Sequence, residues 1–509
     1  MIGEYLVVLA LLLGGSLLAR GVGLRGWAVP AVGYALGVAL LVGITSLAVV
    51  TSLPLPAWVP VVLTVIGPGV WWAWLVSRGE DVRISMTGMV VVVGVTFVLV
   101  AGFRILHLVN LTPDSFRYLT TTGLLGSGRL QEASPFLLES RLLAVPVMHM
   151  PATLYGELYL RAVTPLLAIS CVLILVWIVR TGLRWVEGPP GPIVVAVVAG
   201  VWLASMNRFV FHAFYLNGHL ALATWLLLLG GVSWLAVQAQ ERDVVLRFAL
   251  IQVVVVPAIV LTRPEAGLLA GLVLLPLLVT PRVPDRLRWP ALACLGVSVA
   301  VWQGFLAATY RTSEGSAPIS VDGLLALGIV IVLLSVAISR LGTAWLPRRS
   351  LGAVEIVLWL GLVVAVVLDV RILRSSIRAT LINLSGDGGW GVSLLVLGAL
   401  AVAVLMLTDA PGRAVLRFPL TAFVPLSLLL AYLRGSAYRV GSGDSLNRML
   451  LQFVPLAVLF VASAFATRRW GPWGQDETEA PRAGSSRAGR SSGYPRVVAW
   501  LAPGRLSRG

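Results

Sequence analysis

Charge is what this chain has least of. Only 12% of its 509 residues are Asp, Glu, Lys or Arg, about half of the roughly 25% usual in a soluble domain. Lysine is absent, so all 38 basic residues are arginine. Cysteine is nearly absent as well. Cys171 and Cys294 both lie inside apolar runs, which excludes a disulfide scaffold and a cysteine-based metal site. No P-loop and no nucleotide-binding Rossmann pattern is found, so the sequence offers no nucleotide-phosphate cradle. What is abundant is apolar sequence. The hydrophobic share is 58%, mean hydropathy is +0.94, and several runs reach the roughly 18 residues that cross a bilayer. These numbers exclude a soluble enzyme and a disordered chain. The fold class they imply is all-α, a polytopic transmembrane helical bundle.

Reading apolar runs between charged or Pro/Gly-rich breaks predicts about fifteen spans. They lie near 4–19, 28–50, 57–77, 85–103, 156–179, 192–206, 217–237, 246–261, 265–280, 289–308, 321–339, 351–369, 391–408, 416–433 and 449–466. The first run follows Glu4 with no basic residue ahead of it, unlike the charged start of a cleaved signal peptide, so it is expected to stay as a span. Three regions follow: an N-terminal transmembrane extension over 1–84, the main transmembrane region over 85–466, and a tail over 467–509. The tail turns to Gly, Ser, Pro, Arg and acidic residues. It is expected to be disordered, because it has too little apolar surface to offset the entropy of ordering.

Arginine also sets the expected orientation, since cytoplasmic loops collect positive charge. With the N-terminus outside, each alternate loop carries at least two arginines and the tail eight more, which puts twenty-four inside and fourteen outside. The expected protein is a multi-pass cell-membrane protein with a cytoplasmic tail. The fourteen outer arginines cluster: five fall in 104–161, three in 371–378 and three in 434–448. Clustering against the topological bias suits an outward-facing anion site, for which arginine's permanently charged planar fork is the apt donor.

Three outer segments could carry chemistry. The longest loop, roughly 103–154, reads Asn110-Leu-Thr-Pro-Asp114-Ser-Phe-Arg117-Tyr118 after Arg104 and His107. Pro113 marks a helix start, and the amphipathic stretches beyond it are expected to be short helices lying along the membrane surface. Asp114, beside Arg104, His107, Arg117 and Tyr118, reads as a general base with phosphate-binding neighbours, or as a plain helix cap. The second segment, Arg263-Pro264-Glu265, is a tight outer turn whose charges either serve a ligand or pair with each other. The third runs from Tyr438 and Arg439 through a Gly/Ser loop to Asp444, Asn447 and Arg448. A helix start with free N–H groups and an arginine beside it makes an anion site; the alternative is an ordinary capped helix.

Together these three segments resemble the GT-C superfamily of membrane glycosyltransferases, which use polyprenyl-phosphate sugars as donors. The resemblance rests on Asp114 in a long outer loop, on the Arg-Pro-Glu turn at 263–265, and on the Asp444-to-Arg448 approach to a late helix with Pro455 after it. It covers roughly 85–466. It implies a sugar moved from a polyprenyl-phosphate donor to a hydroxyl of a glycan, lipid or protein acceptor, with inversion, at the extracytoplasmic face. Asp114 would be the base. Arg263, Arg448, Arg117 and Arg439 would hold the donor phosphate, supported by Glu265, Asp444, His107 and Tyr118. Two departures from the family pattern stand out. The family commonly carries its acidic loop after the first helix, whereas here three spans are expected ahead of that helix. The loop also carries one aspartate rather than an acidic pair, so a divalent metal is compatible with the site but no metal ligands are assigned. Membrane lipids are the expected surroundings and nucleic acid is not an expected partner. Two other readings stand beside the transferase: a lipid-linked glycan polymerase or ligase, which would share the basic cavity but use arginines without an aspartate base, and a lipid or glycan transporter, which would place ionisable residues mid-span and often carry internal repeats, of which none is seen.

Overall fold

A computed structural model of the chain describes residues 1–80, 82, 86–106, 108–132, 137–138, 142–183, 191–239, 242–279, 285–312, 349–407, 414–433, 435–441 and 443–466. The span expected near 321–339, the 467–509 tail and His107 lie outside the described residues. Within them the regular structure is helical, apart from one isolated bridge between Asn110 and Tyr215.

In chain order the helices are α1 (Ile2–Gly21), α2 (Ala28–Val50), α3 (Trp58–Ser77), α4 (Met86–Leu106), α5 (Pro113–Gly126), α6 (Ala144–His149), α7 (Val163–Leu183), α8 (Pro192–Ser205) and α9 (Asn207–Ala213). They continue with α10 (His219–Gln238), α11 (Arg242–Val260), α12 (Ala266–Val279), α13 (Asp285–Thr312), α14 (Arg349–Leu368), α15 (Val370–Ile382), α16 (Ser393–Leu407), α17 (Ala414–Leu433) and α18 (Ser445–Ser463). Ten of these are long and apolar enough to cross a membrane, against the fifteen expected from hydropathy. Of the five others, the one near 321–339 lies outside the described residues, and the remaining four differ in length or straightness. Val245–Val260, Ala266–Leu278 and Ser393–Met406 are apolar but shorter, and the run expected as one span at 192–206 belongs to a pair, α8 and α9, bent by 72°.

Burial orders the bundle. Of the spanning window of α10, 94% is buried, against 11% for α4 and 17% for α14, so α10 is the central post and the other two present apolar side chains outward. Away from water, each polar group needs a partner inside the protein. Hydroxyls on the spans therefore bond back one turn, as Thr64 does to Pro60 O, Thr224 to Leu220 O and Ser233 to Leu229 O. The Trp225 indole donates to Ala35 O at 3.0 Å, joining α10 to α2. Helices α1 and α2 cross at backbone contact: a Cβ on Gly15 would lie 1.8 Å from Gly33 O. Small residues permit this approach between helices in lipid.

The loops sort to two ends. Arg247 in α11 reaches Glu80 at 3.8 Å at one end. Just past the other end of the same helix, the Leu261 carbonyl accepts from Ala144 N at 2.9 Å. There the buried Glu4 accepts from Ala162 N at 2.7 Å and pairs with Arg104 at 3.0 Å, while Arg104 also grips Glu157. Arg104 is thus tied to structure rather than turned toward Asp114.

His149, ending α6, is buried, and its Nδ1 accepts from Leu160 N at 3.2 Å. That bond requires the neutral ring, and burial pulls its pKa down to about 4. A depressed histidine stabilises the fold above its unfolded pKa of about 6.5 and progressively loses that contribution as pH falls toward the folded value. We expect thermal stability in detergent to drop between pH 7 and 4, with this group contributing on the order of 3 kcal/mol. His149→Asn keeps an acceptor for Leu160 N and should flatten part of that slope. An unchanged slope would assign the acid sensitivity elsewhere.

Candidate functional site

The site is assembled from segments far apart in sequence. Residues before α5 run extended, and Asn110 N donates to Phe214 O at 2.6 Å. Helix α5 then starts at Pro113. Thr112 is its N-cap, with Ser115 completing a capping box, so the cap that Asp114 might have supplied comes from Thr112 instead. The helix start is fastened to the turn after α9 by Thr112 Oγ1 against the Tyr215 hydroxyl at 3.1 Å and by Ser115 Oγ donating to Leu216 O at 3.1 Å.

Relieved of capping, Asp114 accepts from Arg448 Nη1 at 2.9 Å, a pair separated by 334 residues. The side chains are 28% and 21% exposed, neither sealed nor fully solvated. Arg448 lies in the first turn of α18. That helix is capped by Asp444, whose two oxygens accept from Leu446 N and from Arg439 N, both at 2.9 Å. The N-terminus that read as an anion site is therefore occupied by the chain's own carboxylate. Asp444 shapes the loop, and Arg439 points out of it as an exposed side chain. Arg117 is exposed one turn beyond Asp114.

The loop before α18 leans on α15. Ser376 Oγ accepts from Tyr438 N at 3.1 Å, and Asn383 donates to Arg439 O and accepts from Gly441 N at 2.9 and 2.8 Å.

Arg263 and Glu265 take the paired alternative. Nε of Arg263 meets Glu265 Oε1 at 3.2 Å, and both residues are buried. Burial opposes the guanidinium charge, but Glu265 and the nearby Tyr118 more than restore it and hold the pKa above its ordinary value. Tyr118, on α5 with Asp114, is wholly buried against this turn.

Sequence reading missed α9. Arg208 and His212, one turn apart, are both buried, and Arg208 lies close enough to Arg448 and Asp444 to feel their charges. The His212 ring sits 5.5 Å from that of Tyr215 and 6.1 Å from that of His219, and His219 Nδ1 meets Gln452 Nε2 of α18 at 2.8 Å. The available signal was Asn207-Arg-Phe-Val-Phe-His212, a helix start with two basic side chains at i and i+4. A partly exposed carboxylate is thus paired with Arg448, which has Arg208 nearby, and Arg117 lies one turn beyond the carboxylate on α5, an arrangement able to take a proton and to hold an anion.

Among the described residues no group of three or more His, Cys, Asp or Glu side chains is placed to hold a metal ion. No protein-family model, no curated protein and no solved structure matches the chain.

Proposed function

We propose that this membrane protein is a glycosyltransferase that moves a sugar from a polyprenyl-phosphate donor to a hydroxyl acceptor at the extracytoplasmic face. The observation that supports it best is the Asp114–Arg448 pair, which couples a proton acceptor to a phosphate grip in the same few ångströms. In the resting state the two neutralise each other. An arriving lipid phosphate competes for Arg448, with Arg117 and Arg439 as outlying cations, and frees the carboxylate. Asp114 then takes the acceptor's hydroxyl proton as that oxygen attacks the anomeric carbon from the face opposite the phosphate. The bond from anomeric carbon to phosphate oxygen breaks, its electron pair leaves on the phosphate, and the proton passes from Asp114 to solvent. Base and cation together supply what this chemistry needs. Arg263 would act at one remove, by fixing Glu265, Tyr118 and hence α5.

The test is transfer from a polyprenyl-phosphate sugar by the purified chain in lipid nanodiscs. Charge-assisted hydrogen bonds contribute about 1.5–3 kcal/mol each, so Arg448→Ala should weaken donor binding by roughly tenfold or more. Unchanged donor affinity would remove Arg448 from the donor site. The 72° break between α8 and α9 favours a second reading, since broken helices mark transporter binding sites. Substrate crossing sealed vesicles with no sugar transferred would select it.

A further inference from the structure

Helix α15 is built differently from its neighbours. Asp369 caps it by accepting from Arg371 N at 2.9 Å. At 3.6 residues per turn its side chains form three stripes. Leu373, Ser376 and Ala379 face the core and are buried; Val370, Ile377 and Leu381 form an exposed apolar stripe; Arg371, Arg374 and Arg378 form an exposed basic one beside it. Between α15 and the end of α14 lies an open groove of about 540 Å³, walled by Val366, Val370, Leu373 and Ile377, with Arg374 and Arg378 at its edge. No carboxylate among the described residues pairs with either guanidinium. Below the groove α14 continues as an outward ridge, with Leu360, Val363, Val364 and Val367 all exposed.

We infer that this groove docks a long-chain lipid bearing a phosphomonoester, its phosphate on Arg374 and Arg378 and its chain running down α14 into the bilayer. Charge distinguishes the occupant. A sugar-linked lipid phosphate and phosphatidylglycerol are both diesters with one negative charge. A monoester approaches two charges above its second pKa of about 6, which matches two planar forks one turn apart. One apolar wall beneath the arginines suits one chain rather than two. The helix that carries the groove also reaches the candidate site with its buried face, since α15 and its C-cap hold the loop of Tyr438, Arg439 and Gly441 through Ser376 and Asn383. If the transfer reading is right, on which this last step rests, the occupant is the spent carrier. Breaking the sugar–phosphate bond converts the donor diester into that monoester, so the groove would retain product and leave the donor.

The experiment uses the full chain in phosphatidylcholine nanodiscs with a radiolabelled prenyl monophosphate and no acceptor, so that only binding is read. Arg374→Gln/Arg378→Gln should weaken binding tenfold or more, and binding of the wild type should strengthen as pH rises through 6. The methyl ester of the same prenyl phosphate, one charge poorer, should bind several-fold more weakly. Neither phosphatidylglycerol nor inorganic phosphate at equal concentration should displace the probe. Wild-type binding by the double variant overturns the proposal, and equal competition by phosphatidylglycerol reduces the groove to a general lipid contact and overturns it too. If sugar transfer is observed but the probe ignores α15, the groove fails and the transferase reading stands. If the probe binds α15 but no sugar is ever transferred, the lipid-monophosphate site stands and the transferase reading falls.

Discussion

Asp114→Asn is expected to lower sugar transfer by about 10²–10⁴-fold, the usual contribution of a positioned base, while the protein stays folded and binds donor. The substitution is clean for a structural reason. The α5 cap belongs to Thr112 and Ser115, so Asn at 114 disturbs no helix end, and its amide oxygen can still accept from Arg448. Basicity and the negative charge that competes with phosphate for Arg448 are removed. The loss should therefore appear in kcat, with donor affinity undiminished or stronger. Near-normal transfer would make Asp114 a counter-ion for Arg448 and pass the reading to a polymerase or ligase that works through arginines alone.

Glu265→Ala is expected to act on the fold. Arg263 and Glu265 are both buried, and removing one partner of a buried pair strands the other charge at a cost of about 3–5 kcal/mol. Thermal unfolding should move down accordingly. The double variant Arg263→Met/Glu265→Leu should recover most of that loss, because replacing both charges with apolar groups of similar volume is often near neutral. The same pair of measurements separates the two roles open to Arg263. If Glu265→Ala leaves stability intact while Arg263→Met alone abolishes donor binding, Arg263 touches the phosphate itself rather than holding α5 through Tyr118.

The bundle was legible where composition alone decides. Ten spans follow from runs so apolar that only a helix satisfies their backbone in lipid, and α10 and α18 were bounded to within a few residues. Hydropathy ended the run at 206, where the break lies, but did not register the short helix beyond it, because α9 mixes the buried apolar Phe209 with the buried Arg208 and His212. What bends the chain there is backbone geometry, an extended Met206 ahead of Asn207. Helix α15 escaped for a similar reason. Its three arginines register as outer charge, while its helical period shows only when the spacing of Leu373, Ser376 and Ala379 is weighed with them. Within the site, Asp114 and Arg448 were each nominated from their own neighbourhoods, and no local pattern carries the information that they touch. The same limit applies to Arg208 and His212, whose importance comes from the company that tertiary packing gives them. The turn at Arg263 could be read either way from sequence, and only burial separates a ligand grip from an internal pair.

The contact between Asp114 and Arg448 sets an order of events during biosynthesis. A ribosome delivers the first helices well before α18, so Asp114 waits through most of translation without its arginine. The Gln452–His219 bond makes α10 wait as well, since it too is closed by α18. Carboxylate and guanidinium meet only when the last described helix is inserted. A chain stalled or truncated before Ser445 would carry Asp114 without its partner, leaving an assembly intermediate in which the pair is unformed.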